Sequence, residues 1–310
     1  MTTDEFISQW LDSRDFIEAH TSGSTGAPKA VRLAKADMRA SARATNGFFG
    51  LTEGSLFVSP LSPDYIAGKM MIVRALEAGG EIVMLPPSNH FEMPEADVAL
   101  LAIVPSQVPW LLERGDSARV RNIIIGGAKL DDSMRRALVD AGFNAYETYG
   151  MTETCSHVAL RHVSGEVFSA MPGVTFSTDA RGCLEIDIPN MSVKRVVTND
   201  IVELHSEKEF RWLGRFDNVI NSGGIKIFPE ELEERIARLV PREVCGEFYI
   251  VGRRHDVWGE CVCMVFVGDG STADDIARRL SAGLPHTHVP KVYERVDALP
   301  RTSNGKIIRR

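Results

Sequence analysis

The 310-residue sequence lacks the features that mark a membrane or secreted protein. It has no apolar run of about 18 residues, the length that suggests a transmembrane helix. Asp4 and Glu5 stand where a secretory signal would be basic and then apolar. Its five cysteines form no Cys-x-x-Cys pair, which indicates free thiols in a reducing compartment. We therefore predict a cytoplasmic protein without a membrane partner.

An excess of positive charge is also absent. The chain has 35 lysines and arginines against 42 aspartates and glutamates, and its formal net charge is -7 at pH 7. This balance argues against nucleic-acid binding through bulk electrostatics, so local basic groups must meet any anionic ligand. Cys261 and Cys263 alternate along an apparent strand, which favours the core over metal ligation.

The most informative segment is residues 21–29, Thr-Ser-Gly-Ser-Thr-Gly-Ala-Pro-Lys. Its two glycines allow backbone amides to turn around an anion. The spacing differs from the Gly-x4-Gly-Lys-Ser/Thr pattern of the Walker A loop. A polar linker is the alternative, but a linker does not need Pro-Lys followed at once by strand-like residues. The segment predicts a phosphate-binding loop with the hydroxyls of Thr21, Ser24 and Thr25 and the ammonium of Lys29.

Strand-length apolar runs alternate with helix-length amphipathic segments in the first half of the chain. This alternation is typical of a largely parallel α/β sheet. The predicted strands are 56–59, 81–85, 98–104 and 122–125, and the predicted helices are 67–78, 106–113 and 131–141.

From about residue 163 the pattern changes to shorter strands with glycines between them, which predicts a β-rich subdomain. A helix is predicted from Pro229, because proline and several glutamates suit a first helical turn. The remaining predicted elements are strands at 182–188, 195–198, 201–204, 247–251, 261–267 and 291–296 and a helix at 273–282. We thus predict an α/β domain over residues 1–213 and a small α+β domain over residues 214–310.

Four further segments occur in a fixed order after the loop. They are Tyr149-Gly-Met-Thr-Glu-Thr in a loop that leaves a strand, Thr198-Asn-Asp200 between two short strands, Gly214-Arg-Phe-Asp-Asn, and Pro300-Arg-Thr-Ser-Asn-Gly-Lys306. Each alone is compatible with an ordinary polar loop. Together with the first loop they resemble the adenylate-forming superfamily of acyl-CoA synthetases, peptide-synthetase adenylation domains and luciferases. The resemblance covers residues 21 to 306.

The resemblance implies an ATP site and a mobile C-terminal domain. Ser22 joins the loop residues that hold the β- and γ-phosphates, and Gly126, Gly127 and Ala128 resemble the glycine turn beside adenine and the acyl group. It further implies that Tyr149 lies along adenine and that Asp200 binds the ribose, with Arg215 beside it. Thr152 would contact the α-phosphate, and Glu153 would hold Mg²⁺. Asp217 would be the hinge, and Lys306 would bridge the acyl carboxylate and the α-phosphate.

The implied chemistry explains these residue types. A carboxylate and a triphosphate repel each other, so Lys306 and Mg²⁺ are needed to neutralise charge at the α-phosphorus. The acyl-adenylate would then react with the thiol of CoA or of a carrier protein. The alternatives are that Lys306 is a tail lysine and Asp200 a turn former.

Two departures from the family pattern narrow the expected substrate. Only about twenty residues precede the loop, so we expect an acyl pocket with less wall or with help from a second subunit in a homo-oligomer. Asn221 stands where many members have a lysine, and Lys226 does not obviously replace it. Both departures resemble o-succinylbenzoate-CoA ligases of menaquinone biosynthesis. Another aryl or short acyl acid, a carrier-loading enzyme and a non-catalytic nucleotide-binding remnant are the alternatives.

An acid with two carboxylates needs a second cation in its pocket. Lys69 and Arg74 lie in the predicted helix at 67–78, five residues apart, and so cannot both face one pocket squarely. We predict that one binds the spare carboxylate and that the other is a solvated surface charge. Ser106 and Gln107 are a second polar pair expected near the pocket mouth.

Overall fold

The computed structural model describes residues 1–20, 30–268, 273–301 and 307–309. The contacts divide the chain into two units. The first comprises residues 1–177, 185–197 and 204–211, and the second comprises residues 178–184, 198–203 and 212–310. The domain boundary at residue 213 stays a prediction, and each unit is described separately below.

The first half of the chain alternates strands and helices, as the apolar pattern predicts. Every predicted strand and helix between residues 56 and 141 is present, with bounds shifted by only a few residues. The elements are α1 Thr3–Leu11, β1 Phe16–His20, β2 Ala30–Ala34, α2 Lys35–Phe49, β3 Leu56–Ser59, α3 Ile66–Ala78, β4 Glu81–Met84, β5 Leu100–Ile103, α4 Val108–Arg114, β6 Ile123–Ile125, α5 Asp132–Asp140, β7 Ala145–Gly150, β8 His157–His162 and β9 Phe168–Ala170.

Strands β3 to β7 are parallel neighbours in the order β4-β3-β5-β6-β7, and β8 pairs antiparallel with β7. The three isoleucines of β6 are all buried, as expected for a parallel strand covered on both faces. Because the five strands run the same way, their carboxyl ends share one edge of the sheet. In open α/β sheets, ligands bind at this edge.

The β-rich part of the chain differs from the prediction, because two of its strands were not predicted and two predicted strands form one. It contains β10 Thr175–Thr178, β11 Cys183–Asp187, β12 Arg195–Ser206 and β13 Glu209–Arg215. Residues 198–200 were expected between two short strands, but they lie within the continuous strand β12. The Asp200 carboxylate accepts a hydrogen bond from the indole N–H of Trp212 on β13, so this polar residue is accommodated without a break in the strand. The alternative of Asp200 as a turn former is therefore wrong.

The C-terminal part of the chain forms the predicted α+β structure. Strands β14, β15, β16 and β17 form a sheet, and β18 pairs parallel with β17. Helix α6 begins at Pro229 with two glutamates in its first turn, as predicted. The elements are β14 Ile220–Ser222, β15 Ile225–Ile227, α6 Pro229–Leu239, α7 Arg242–Cys245, β16 Phe248–His255, β17 Gly259–Phe266, α8 Ala273–Gly283 and β18 Val292–Arg295.

The expectation that Cys261 and Cys263 belong to the core is confirmed. Cys261 and Cys263 are buried core residues of β17, and all five cysteines are free thiols. None of the helices in the described ranges is both long and apolar enough to cross a bilayer.

Candidate active site

The chain leaves β7 through a bulge and a tight turn. Tyr149 and Gly150 were expected in a loop, but both belong to strand β7. The pairing register between β7 and β8 shifts between these two residues, which marks a β-bulge. A Cβ atom on Gly150 would overlap the Ser156 carbonyl oxygen and the His157 Cα. Glycine is therefore required where the two chain segments approach this closely.

A single 3₁₀ turn, Thr152–Thr154, follows the bulge. Thr154 is fully buried, and its hydroxyl oxygen lies 3.0 Å from the Met151 carbonyl oxygen and 2.7 Å from that of Ser156, either of which can accept its single proton. The Thr154 hydroxyl oxygen accepts the Met151 N–H at 3.1 Å. Thr154 thus fixes the turn internally, while Thr152 is half-buried and Glu153 exposed.

The glycine turn after β6 is held from the neighbouring strand β7. A Cβ atom on Gly126 would overlap the Thr148 hydroxyl oxygen, and Gly127 has a φ of +85°. The amide of Leu130, just after the turn, donates to the Glu147 carboxylate at 3.2 Å. Glycine is therefore needed at both positions, and Glu147 anchors the end of the turn.

Glu147 is a buried charge that the sequence patterns did not single out. It lies directly opposite Arg161 in the β7–β8 register, and the two buried side chains form an ion pair. The Arg161 guanidinium also lies 4.8 Å from the ring centre of Phe168. Opposite charges in two consecutive strand segments were the available signal for this pair.

Lys69 and Arg74 are both buried in α3, so the prediction that one of them is a solvated surface charge is wrong. Each is 2% exposed. The Lys69 ammonium donates to the carbonyl oxygens of Pro63 and Asp64, at the start of the helix. Gly68 allows this approach, because a Cβ atom there would overlap the Ser62 carbonyl oxygen. Lys69 therefore fastens the loop after β3 to α3.

Arg74 is buried in helix α3 and contacts Ser156, just before β8. Its guanidinium donates to the Ser156 hydroxyl and contacts the Met71 sulfur at 3.6 Å. Its Nε is buried without a hydrogen-bond partner among the described residues. Burial lowers the pKa of Arg74 to about 9, which leaves the side chain charged at neutral pH. Within the described ranges it forms no ion pair with a carboxylate.

His157 is buried beside Arg74. Its Nε2 lies 3.1 Å from the Thr45 hydroxyl, and its Nδ1 lies 3.4 Å from the Ser156 hydroxyl. Burial lowers the pKa of His157 well below its usual value, and the positive charge of Arg74 lowers it further. The imidazole is therefore neutral at pH 7.

Ser106 and Gln107 lie at the carboxyl end of β5, and both side chains have protein partners. The Gln107 amide nitrogen donates to the Ser88 carbonyl oxygen at 2.7 Å and to that of Pro60 at 3.5 Å. The Ser106 hydroxyl donates to the Asn89 side-chain oxygen at 2.9 Å. Gln107 thus connects the loops that follow three neighbouring strands.

Tyr149 packs within an aromatic group of the first unit. Its ring centre lies 5.1 Å from that of Phe210, nearly edge-on, and 5.8 Å from that of Phe168. These contacts restrict its ring orientation.

The second unit contains the three remaining described site residues, Asp200, Arg215 and Asp217. The Asp200 carboxylate accepts the Trp212 indole N–H at 3.2 Å and lies 3.5 Å from the Arg215 guanidinium. Arg215 also pairs with Asp217 at 3.2 Å, and the Asn199 amide lies 3.3 Å from that carboxylate. The structure therefore brings these three sequence-selected residues together.

Trp212 and Arg181 were not identified from the sequence. Arg181 donates to the Asn199 side-chain oxygen at 3.0 Å and to the Thr198 carbonyl oxygen at 3.2 Å. Its guanidinium lies 5.1 Å from the ring centre of Phe216. The alternation of Phe210, Trp212 and Gly214 along β13 was the available signal for Trp212.

The phosphate-loop residues Thr21, Ser22, Ser24, Thr25 and Lys29, together with Lys306, lie outside the described residues. In the part of the chain that is described, no group of three or more His, Cys, Asp or Glu side chains is arranged to hold a metal ion. A magnesium site built from protein carboxylates alone is thus not found there.

Family models match most of this sequence. The AMP-binding enzyme model matches residues 16–194, and the AMP-binding enzyme C-terminal domain model matches residues 231–306. The 2-succinylbenzoate–CoA ligase of Staphylococcus aureus is 27% identical over 93% of this chain. The chain spans 65% of the length of that relative.

Solved structures show the same similarity. An acyl-CoA synthetase (AMP-forming)/AMP-acid ligase II-like protein from Dyadobacter fermentans is 31% identical, with a TM-score of 0.65 over 98% of this chain and 90% of its own. The o-succinylbenzoate CoA synthetase of Bacillus subtilis, in complex with the acyl-adenylate intermediate, has a TM-score of 0.80 at 20% identity. That alignment covers 94% of this chain and 67% of the synthetase. Another structure of that synthetase contains ATP and a magnesium ion.

Proposed function

This chain belongs to the AMP-binding enzyme family, and on that premise we propose that it is an ATP-dependent ligase that joins a carboxylic acid to coenzyme A through an acyl-adenylate. The observation that carries the proposal is the turn Thr152–Thr154 at the carboxyl end of β7. It presents a half-buried hydroxyl and an exposed carboxylate next to one another, on a backbone that the buried Thr154 fixes. A phosphate and its metal ion need such a pair of groups.

The reaction has two steps. A carboxylate oxygen of the acid attacks the α-phosphorus of ATP, and the bond to the terminal diphosphate breaks, so that pyrophosphate leaves. The sulfur of the coenzyme A thiolate then attacks the acyl carbon, and AMP leaves with the electrons of the mixed anhydride bond. The thiol proton passes to solvent.

The charges on the reactants determine what the protein must supply. We assign Lys306 to the developing charge between the acyl carboxylate and the α-phosphate, and Thr152 to the α-phosphate. The hydroxyls and lysine of residues 21–29 would hold the β- and γ-phosphates. Catalysis of this kind depends on positioning and electrostatic stabilisation, since the attacking carboxylate is already ionised.

Magnesium fits the chemistry of the Thr152–Thr154 turn. Glu153 is exposed and carries a hard carboxylate ligand, and Mg²⁺ in nucleotide sites is typically held by one or two carboxylates, phosphates and water. Glu153 would hold the ion, which would neutralise phosphate charge when bound.

The remaining assignments concern the nucleoside. The Asp200 carboxylate would accept hydrogen bonds from the ribose hydroxyls. The Trp212 N–H and the Arg215 guanidinium would orient this carboxylate. Tyr149 would lie along adenine, with Gly126, Gly127 and Ala128 allowing close approach of the base. Asp217 would be the hinge residue of a mobile C-terminal domain.

For the acid we propose o-succinylbenzoate. The similarity to 2-succinylbenzoate–CoA ligases supports this choice, and so does Arg74. A buried cation without a carboxylate partner is costly, and an anionic ligand nearby offsets that cost. Lys69 is less suited, because it already donates to two carbonyl oxygens. The amide nitrogen of Gln107 likewise already donates a hydrogen bond to the Ser88 carbonyl oxygen.

Pyrophosphate release across a panel of acids, with and without coenzyme A, tests this function. The panel includes o-succinylbenzoate and its two monocarboxylate analogues, each lacking one carboxylate. We expect the highest kcat/KM with the diacid and a further stimulation by coenzyme A. Release with another aryl or short acyl acid alone would overturn the diacid assignment, and stimulation only by a carrier protein would overturn the coenzyme A step. No release with any acid would leave the nucleotide-binding remnant as the better account.

The variant Arg74→Met tests the source of diacid preference, with Lys69→Met as its matched comparison. We expect Arg74→Met to raise KM for the diacid by about tenfold. The KM for the monocarboxylate that the enzyme still activates should change far less. An equal increase for both acids would contradict a role of Arg74 in reading the second carboxylate.

A further inference from the structure

Arg309 ties the end of the chain to helix α6 and strand β16. Its guanidinium pairs with Glu233 through both terminal nitrogens, with Nη2 at 2.9 Å from Oε2, and Nη1 donates to the Ile250 carbonyl oxygen at 3.0 Å. Its Nε lies 3.5 Å from the Glu230 carboxylate. A two-pronged arginine–carboxylate pair fixes orientation as well as distance. Arg309 is therefore held in place by three partners.

The residues on the two sides of 302–306 are paired with each other. Arg301 and Ile307 form an antiparallel bridge, and the Ile308 N–H donates to the Pro300 carbonyl oxygen at 2.8 Å. Ile307 packs against an apolar cluster that contains Tyr249, Cys263, Val265 and Leu299. The backbone is thus fixed immediately after Lys306 as well as at Arg309.

Glu230 connects Arg309 to the segment that contains the proposed hinge. The Asn218 amide donates to Glu230 Oε1 at 2.5 Å, and a Cβ atom on Gly214 would overlap Glu230 Oε2. Glu230 is 5% exposed. Burial raises its pKa, and the positive charge of Arg309 opposes that rise. One buried carboxylate therefore contacts both residues 214–218 and the end of the chain.

We propose that Arg309 is a positioning residue for Lys306, held in place by Glu230 and Glu233. The inference rests on the proposed function, in which Lys306 acts at the acyl carboxylate and the α-phosphate. Arg309 is three residues beyond Lys306, a stretch that spans at most about 11 Å when fully extended. Anchoring Arg309 therefore limits where the lysine can be placed. A displacement of about 1 Å at a reacting group can slow catalysis by about 100-fold.

The variant Arg309→Lys tests the proposal, because lysine keeps the charge and loses the planar two-pronged contact. We expect adenylation, measured as acid-dependent pyrophosphate release, to slow by about 10- to 100-fold. The transfer of a supplied acyl-adenylate to coenzyme A should stay close to the wild-type rate. Glu230→Gln, which keeps the side-chain shape, should give a smaller loss in the same half-reaction.

Arg253→Lys is the matched control. Arg253 forms a similar two-pronged pair with Glu294, at 2.7 and 2.8 Å, elsewhere in the second unit. This substitution should leave adenylation unchanged. A loss equal to that of Arg309→Lys would contradict a specific role for Arg309.

The decisive comparison uses the Lys306→Ala background. If Arg309 acts through Lys306, then Arg309→Lys causes no further loss of the residual adenylation rate in that background. The same fractional loss in both backgrounds would overturn the proposal. Equal slowing of both half-reactions in the Arg309→Lys single variant would also overturn it.

Amide hydrogen exchange separates failure of this inference from failure of the proposed function. If the wild-type protein adenylates no acid, the proposed function fails, and the anchoring of Arg309 by Glu230 and Glu233 is judged from the exchange rate of the Ile308 amide. Faster exchange in Arg309→Lys supports this anchoring. Unchanged exchange overturns it, whatever the activity of the protein.

Discussion

The indole N–H of Trp212 donates to the carboxylate of Asp200 across strands β12 and β13, at 3.2 Å. The contact orients a carboxylate that is 8% exposed, and the Arg215 guanidinium lies 3.5 Å from the same oxygen. Asp200 is therefore held as an acceptor with a defined direction, which suits the proposed binding of two ribose hydroxyls.

Removal of the indole donor should weaken nucleotide binding. Trp212→Phe keeps the aromatic ring and loses a hydrogen bond to a charged group, so KM for ATP should rise by about tenfold. The value of kcat should change much less, since Asp200 is assigned to the ribose. Steady-state kinetics with ATP as the varied substrate measure this. Trp110→Phe, a substitution in α4, is the control, and an equal rise in its KM would contradict the assignment.

Gly150 should tolerate no side chain. In Gly150→Ala the new Cβ meets backbone atoms of Ser156 and His157, so the bulge and the following turn must shift. The free energy of unfolding should fall by about 2 kcal/mol, as for other overpacked sites, and adenylation should be largely lost. Urea unfolding and pyrophosphate release measure the two effects.

The matched control is Gly47→Ala in helix α2. A Cβ atom on Gly47 meets no atom within 4 Å, and alanine stabilises a helix interior by about 0.5–1 kcal/mol relative to glycine. Gly47→Ala should therefore stabilise the protein without loss of activity. Destabilisation of similar size in both variants would contradict the account of the bulge.

The buried pair of Glu147 and Arg161 should be essential for the stability of the first unit. Glu147→Gln leaves the Arg161 charge buried without its partner, which should lower the free energy of unfolding by about 3 kcal/mol. Asp187→Asn is the control, because Asp187 pairs with Arg195 at the exposed surface. Its effect should be far smaller, as is usual for surface ion pairs. Urea unfolding measures both variants. An equal loss of unfolding free energy in Glu147→Gln and Asp187→Asn would contradict a special contribution of the buried ion pair.

His157 should make folding sensitive to acid. Its pKa in the folded protein lies well below 6.5, so the unfolded chain binds more protons as the pH falls below 6.5. Stability from the neutral imidazole is complete above that pH and is lost on acidification towards the folded pKa. Relative to His157→Gln, the free energy of unfolding of the wild-type protein should fall as the pH is lowered from 7 to 5. A pH-independent difference in unfolding free energy would contradict a buried neutral His157.

The alternation of apolar segments predicted the parallel strands and their helices, since burial on both faces leaves a continuous apolar run such as Ile123–Ile125. The resemblance carried by five short motifs is confirmed by the family match. Strand β12 was predicted in two pieces, because Asp200 looks like a strand breaker until its partner Trp212 is known.

The sequence did not predict which distant residues pair with the buried charged side chains of the site. The burial of Lys69 and Arg74 depends on carbonyl and hydroxyl groups that short-range spacing does not reveal. The same holds for Glu147, whose partners are Leu130 and Arg161. A charged residue in an apolar segment indicates that a partner exists and does not identify it.

Adenylate formation by this chain is measured by the acid-dependent exchange of labelled pyrophosphate into ATP in the absence of coenzyme A. We expect exchange that requires an acid and magnesium, is fastest with o-succinylbenzoate, and falls to a small residual rate in Lys306→Ala. Exchange that does not depend on an acid, or release of ADP and phosphate in place of AMP and pyrophosphate, would contradict the assignment of this chain as an adenylate-forming ligase.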